Sequence, residues 1–432
     1  MNYKYAVILS ILDIPMLYNF DNIIYNFPKN CFGVFVTIKR NNKVHGCIGK
    51  WEYNVIDDNQ IFKYMINVAH SASFNDSRSK AFNDIINDPN AEIEINFLLN
   101  DFKIITNIFD NDKYGVIVKR NNKYLATYLP KVFSSQTSWD YIKNSLINKA
   151  HTSNNNLEFI SYPTNIIKFK LVDLLKDKEF RLFWAKKISE NLEFKNNDIP
   201  HTLKNNKFYY IHDNIRNISS LNTMIKYAKL NNDSNLKKYQ EILKSYGQKY
   251  QEYDMQTLSF LVDLVDTDPE VVDYFCNHSK INIDNQEKKF AKPEILLAMC
   301  TKCKLDNEYL NNKMLNLLSE RENDIFQYNW HSKFFKCLSD KNQLKLPNKN
   351  KILNEVLNMY NPSKKYETNE LAVMFECYMN TYSFINDIKL YNKAFTLFIL
   401  ALRRINSKYW LNFNNKEARL DITIHVLDAF IN

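Results

Sequence analysis

The alternation of apolar and polar residues divides the chain into two textures. Residues 33–50 (GVFVTIKRNNKVHGCIGK) put Val34, Val36 and Ile38 on one face and Phe35, Thr37 and Lys39 on the other. Asn41-Asn42 separates this run from the next, which predicts a β-hairpin. Over residues 58–74 the period changes: Ile61, Tyr64, Met65, Val68 and Ala72 recur at helical spacing. Residues 91–99 alternate again, with Ile93, Ile95 and Phe97 opposite Glu92, Glu94 and Asn96. A second hairpin over 114–129 turning at Asn121-Asn122, a short helix over 138–149 and a strand over 164–172 complete an α+β pattern.

Near residue 175 the period-2 signal stops. Helical segments follow around 213–230, 234–250, 254–266, 268–280, 292–304, 307–320, 331–340, 350–360, 368–383, 387–406 and 417–431. The pattern therefore predicts two domains: an α+β domain over 1–175 and an all-α domain over 208–432, joined by a turn-rich linker over 176–207. Paired helices over that length predict an α/α toroid, with an open α-hairpin solenoid as the alternative.

Composition narrows the function classes. The 432 residues carry a net charge of +9, and the basic residues are scattered rather than gathered in one block, which argues against nucleic-acid binding. Abundant Lys, Asn, Ile and Tyr point to codon bias in an AT-rich genome, such as that of a protist, a low-GC microbe or a large DNA virus. No apolar run approaches the roughly 18–20 residues a membrane span needs. Seven cysteines at irregular spacing, with no secretory leader pattern, predict a reduced cytoplasmic protein with free thiols, in the host cytoplasm or the virion if viral. Cys300 and Cys303 form a lone C-x-x-C with no second ligand pair, so no metal is expected and core packing is the reading there. No cofactor is expected.

Only 5 glycines occur, and Gly46 and Gly49 flank Cys47-Ile48. Glycine so sparingly used implies either a positive φ or close approach of another group. Cys47 is a candidate nucleophile, and His45, two residues away, a candidate base if the strand persists that far. Asp76 and Arg78 read as a carboxylate–guanidinium turn or as an anion-binding Arg78. Thr127 and Tyr128 read either as residues lining the same cleft or as ordinary strand residues that end at Pro130.

These motifs resemble the AMMECR family. Val44-His45-Gly46-Cys47-Ile48-Gly49 matches its L-R-G-C-I-G block, and Asp76-Ser77-Arg78 its D-[SP]-R-F block. Tyr114 to Val118, Ala126 to Val132, Trp139-Asp140 and Leu146 to Ala150 follow in the family's order over about residues 30–172. His45, Lys131 and Ser79 depart from the family's Arg, Glu and Phe. The resemblance implies an α+β domain of two subdomains, with the Gly46-Cys47-Ile48-Gly49 segment beside a cleft. It also implies association with Memo-like and radical-SAM proteins, as an enzyme or enzyme accessory acting on a small-molecule or peptide-like ligand. The chain itself has no C-x3-C-x2-C cluster motif.

In the helical half, Asp421, His425 and Asp428 form a narrow stripe between two apolar flanks, and Asn369, Glu376 and Asn380 form another. Buried carboxylates and imidazoles must be paired or face a wet cavity. In one reading they form a pocket where His425 is a general base oriented by Asp421 or Asp428, with Glu376 beside it. In the other they fix core register, and the helical half is a non-catalytic scaffold for a protein partner. A closed pocket in which Asp421, His425 and Glu376 converge would favour the enzyme.

Overall fold

The structure is a computed structural model. It describes residues 3–431 apart from 15–26, 53, 80–84, 107–108, 122, 154, 194, 196–197, 206, 212, 264–266, 285–290, 320–323, 342–348, 407–409 and 413–416. Glu320-Arg321-Glu322, a charged run in the helical half of the sequence, and Asn122 of the second hairpin turn therefore lie outside the described residues. The chain packs as two compact units, Met1–Leu174 and Leu175–Asn432.

The first unit contains α1 (Tyr3–Ile11), β1 (Cys31–Arg40), β2 (Lys43–Trp51), α2 (Asp58–Phe74), β3 (Glu92–Leu99), β4 (Lys103–Ile104), β5 (Tyr114–Arg120), β6 (Lys123–Tyr128), α3 (Trp139–Lys149) and β7 (Glu158–Lys170). The strands make one antiparallel sheet, in the order β2-β1-β3-β7-β5-β6, with β4 also on β7. Asn41 and Asn42 both take positive φ (47° and 62°), the backbone of a type I′ turn whose twist matches its strands. Val34, Val36 and Ile38 are fully buried, as their alternation requires. The strand expected over 164–172 starts earlier, at Glu158, because β7 serves two partners: residues 158–163 pair with β5 and 164–170 with β3. Pro163 sits where the partner changes. The sheet curls into two halves about this strand. Helix α2 packs on β1 and β2, and α3 packs on β5 and β6.

The second unit is mostly helical. It begins with α4 (Lys178–Glu190), inside the segment expected to be linker. Phe180, Trp184 and Ile188, spaced one turn apart, are fully buried and make this helix part of the core. Then come α5 (Asn214–Asn231), α6 (Leu236–Gly247), α7 (Met255–Val262), α8 (Pro269–Asp284), α9 (Ala291–Lys302), α10 (Asn307–Ser319), α11 (Ile325–Asp340), α12 (Lys349–Met359), α13 (Thr368–Ile385), α14 (Ile388–Leu402) and α15 (Leu420–Ile431). Four strands of two or three residues, β8 (Thr202–Lys204), β9 (Lys207–Tyr209), β10 (Leu411–Asn412) and β11 (Glu417–Arg419), pair in the order β10-β11-β8-β9. They are too short for alternation to reveal.

The expectation of seven free thiols is overturned. Cys276 on α8 is bonded to Cys303, and Cys300 on α9 to Cys337 on α11. The two members of the C-x-x-C thus face different helices and staple α8 and α11 to α9. Helical folding brings distant cysteines together at spacings a linear reading does not register. Cys31, Cys47 and Cys377 form no disulfide, and of these only Cys47 is not buried. Among the described residues, no helix is long and apolar enough to cross a membrane.

Candidate functional site

In the first unit the chemistry gathers around β2. Gly46 and Gly49 have no positive φ; close approach explains both. A Cβ on Gly46 would lie 1.9 Å from the Ala72 carbonyl oxygen of α2, and one on Gly49 would lie 2.3 Å from the Phe35 ring. The space over each glycine is therefore filled by the protein. Cys47 stands opposite Thr37 on β1, and the Thr37 hydroxyl donates to Cys47 Sγ at 3.1 Å.

The Cys47 amide donates to Asp76 Oδ2 at 2.9 Å, which ties the strand to the turn after α2. Arg78 grips the same carboxylate through Nε (2.9 Å) and Nη2 (2.7 Å), and its own amide donates to Oδ1. These hydrogen bonds hold the Asp76 carboxyl well below the usual carboxylate range. The pair therefore builds the turn, while half of the Arg78 side chain stays exposed.

His45 is the extra residue of a bulge: Ile38 faces Gly46, yet Lys39 faces Val44. The strand persists to Trp51, but this bulge interrupts the alternation on which a shared face for His45 and Cys47 rests. Cations do act on the sulfur, from Arg78 and Lys149. Burial outweighs them together with the Thr37 hydrogen bond and pushes the thiol pKa up. That direction favours the neutral thiol over the thiolate.

Lys149, at the end of α3, donates to the Thr127 carbonyl at 2.8 Å and sits 4.4 Å over the Tyr128 ring. Burial lowers its pKa. Thr127 is buried, with its hydroxyl donating to the Val116 carbonyl (2.9 Å) and 2.7 Å from Tyr162 Oη. Tyr128 and Ile48 remain partly exposed. Lys149 and Thr37 were not singled out from sequence. Lys149 stood in the quoted Leu146-to-Ala150 block, and Thr37 on the polar face of the first hairpin.

Strand, turn and closing helix thus occur in the order the sequence blocks give. Residues 17–171 match the AMMECR1 family model. That stretch of the chain is an AMMECR1 domain. No family model matches the C-terminal half, and no curated protein matches the chain.

Beyond the AMMECR1 domain, the helical unit holds a buried polar seam. Glu376 of α13 is fully buried. Its Oε2 lies 2.9 Å from His425 Nδ1 of α15, and it also accepts from Asn329 Nδ2 of α11. Its Oε1 lies 2.6 Å from Lys333 Nζ, one turn beyond Asn329. Lys333 Nζ also reaches Asp428 Oδ2 at 3.1 Å, and Thr223 of α5 donates to Asp428 Oδ1 at 3.3 Å. Burial alone would lower the Lys333 pKa and raise that of Asp428. At Lys333 the attraction of Glu376 and Asp428 outweighs burial and raises the pKa; at Asp428 that of Lys333, then of the more distant Lys226, outweighs burial and lowers it.

The two sequence stripes do meet, but with different partners from those expected. Glu376, not Asp421 or Asp428, orients His425. Asp421 is taken by the Arg419 guanidinium fork, with Nε at 3.0 Å, and by Arg216 at 3.7 Å. Both Asp421 and His425 border a cavity of about 290 Å3, together with Asn369, Asn329 and Trp330. An adjoining cavity of about 370 Å3 shares Ser219, Phe260, Glu294 and Trp330 with it and is bordered by Asn380 and Asp428. Lys333 was missed in the sequence. Its signal was the i, i+4 pair with Asn329 amid Phe334, Phe335 and Leu338.

Proposed function

We propose that the AMMECR1 domain binds a small anionic or peptide-like ligand beside Gly46-Cys47-Ile48-Gly49, as an enzyme or the accessory of one. The carrying observation is charge: two cations, Arg78 and Lys149, act on the Cys47 sulfur, against the single carboxylate Asp76. The balance favours an anion. The raised thiol pKa favours Cys47 as a neutral contact over a resting nucleophile.

Alkylation tests this directly, because Cys47 is the one cysteine outside the disulfides that is not buried. Relative to free cysteine, iodoacetate should gain on neutral iodoacetamide at Cys47. Arg78→Gln and Lys149→Met should each erase part of that gain. Equal relative rates for the two reagents would sink the reading.

The Glu376–His425 pair favours a second reading, in which the helical unit carries out proton transfer. A buried carboxylate on Nδ1 fixes the tautomer with Nε2 bare, the form a general base needs. The convergence of α11, α13 and α15 on the seam supports a closed, toroid-like interior over an open solenoid. Nitrogen NMR of His425 checks the first point. A neutral ring protonated on Nε2 would remove the base.

A further inference from the structure

We propose that the helical unit holds a binding site for a zwitterionic ligand of the amino-acid class, in the 370 Å3 cavity bordered by Lys226, Asp263 and Asn380. It does not depend on the anion site of the AMMECR1 domain.

Four lysines and four carboxylates border this cavity, so it carries no formal excess of charge. Most are committed. Lys333 is held by Glu376 and Asp428, Lys336 by Asp340 at 2.7 Å, Lys341 by the Cys300 carbonyl, and Glu294 accepts from Gln256 at 2.7 Å. Two opposite charges, Lys226 and Asp263, feel each other's field but make no direct ion pair. Among the described residues, Lys226 makes neither a hydrogen bond nor an ion pair. Asp263 accepts only from neutral groups, Asn222 Nδ2 at 3.2 Å and Thr301 Oγ1 at 3.5 Å. Burial pushes its pKa up, and Lys226, Lys333 and Lys302, none of them within ion-pair distance, offset only part of that.

A third observation is independent of charge. Asn380 is 1% exposed, and among the described residues neither its Oδ1 nor its Nδ2 has a partner. Buried amides are almost always hydrogen-bonded, so a bare one calls for an explanation. A bound molecule supplying a donor or an acceptor provides it.

These features describe one kind of molecule. Its carboxylate meets Lys226, its ammonium meets Asp263, and its polar groups satisfy Asn380. Trp330 and Phe260, edge to face at 5.4 Å, offer an apolar wall to its side chain. A purely anionic ligand would leave Asp263 unserved, and a purely cationic one would leave Lys226. A free α-amino acid and a short peptide with free termini share this chemistry.

Calorimetric titration of the full chain separates these sources. The twenty standard amino acids form one arm, and dipeptides with free ends the other. One arm should contain a ligand with a Kd of about 1 mM or tighter. Its N-acetylated and its C-amidated forms should each bind at least about tenfold more weakly. Lys226→Met and Asp263→Asn should each cost the zwitterion a similar factor. Asn380→Leu should lose binding while keeping or raising the thermal midpoint, which separates loss of the site from loss of the fold. The proposal is overturned if neither arm saturates, if a capped form binds as well as the zwitterion, or if Lys226→Met binds like the native chain.

Discussion

The two units handle polar groups in opposite ways. In the AMMECR1 domain the chemistry lies at a sheet edge and is built largely from backbone. Asp76 spends its acceptors on the amides of Cys47 and Arg78 and on the Arg78 guanidinium, and Lys149 reaches a carbonyl. In the helical unit the chemistry is interior and built from side chains, with Lys333, Glu376, His425 and Asp428 satisfying one another across three helices. A strand has amides to lend at its edge, whereas a helix has spent its own on itself. A polar site between helices must therefore be closed by side chains, and each of them is costly to remove.

The largest expected effect falls on the helical unit alone. Reducing both disulfides should destabilise it by about 2–5 kcal/mol per bond, while the AMMECR1 domain, which has none, keeps its midpoint. Denaturant unfolding with and without reductant, followed by a probe in each unit, reads the difference. Next is Lys333→Met, which strands Glu376 and Asp428 and should cost about 3–5 kcal/mol. Replacing all three by apolar residues of similar size should recover most of that loss. If Lys333→Met alone is harmless, the seam is not a buried ion network.

Gly46→Ala is the AMMECR1 counterpart. The new methyl meets a helix carbonyl that cannot turn aside, and a loss of about 1–3 kcal/mol is expected. The smallest effect concerns pH. The folded pKa of Asp76 lies below the ordinary value of about 3.9, so its stabilisation is complete above that value and is lost as pH falls towards the folded pKa. The stability gap between the native chain and Asp76→Asn should therefore be widest near neutrality and close in acid. A gap independent of pH would mean the carboxylate charge is not what holds the turn.

Much of this was legible in the sequence, for physical reasons. The first hairpin was written in alternation and two asparagines, and α2 in a helical repeat that the structure reproduces over Asp58–Phe74. The inward stripes of α13 and α15 were visible because polar residues between two apolar flanks have nowhere else to go. Pairing across the stripes was not visible. Whether His425 meets Glu376 or Asp421 depends on the helix crossing, and Arg419, two residues from Asp421 and on β11, had already claimed it. The α4 core helix hid in a segment whose charged ends read as turns. The disulfides depend on which helices become neighbours. Thr127 allowed two readings, a cleft residue or an ordinary strand residue before Pro130, and alternation alone could not show that its hydroxyl bonds the Val116 carbonyl and Tyr162.

The position of β7 bears on how the first unit comes into being. It lies between β3 and β5, yet it is the last strand of that unit to leave the ribosome. Until Lys170 has emerged, the two halves of the sheet share no strand, and β3 and β5 each expose an open edge. Contacts of such long sequence separation form slowly and leave sticky edges waiting. The nascent AMMECR1 domain thus passes through a period of exposure that ends in a single pairing event. Both halves, and with them the Cys47 turn and the Lys149 helix, become one body at that step.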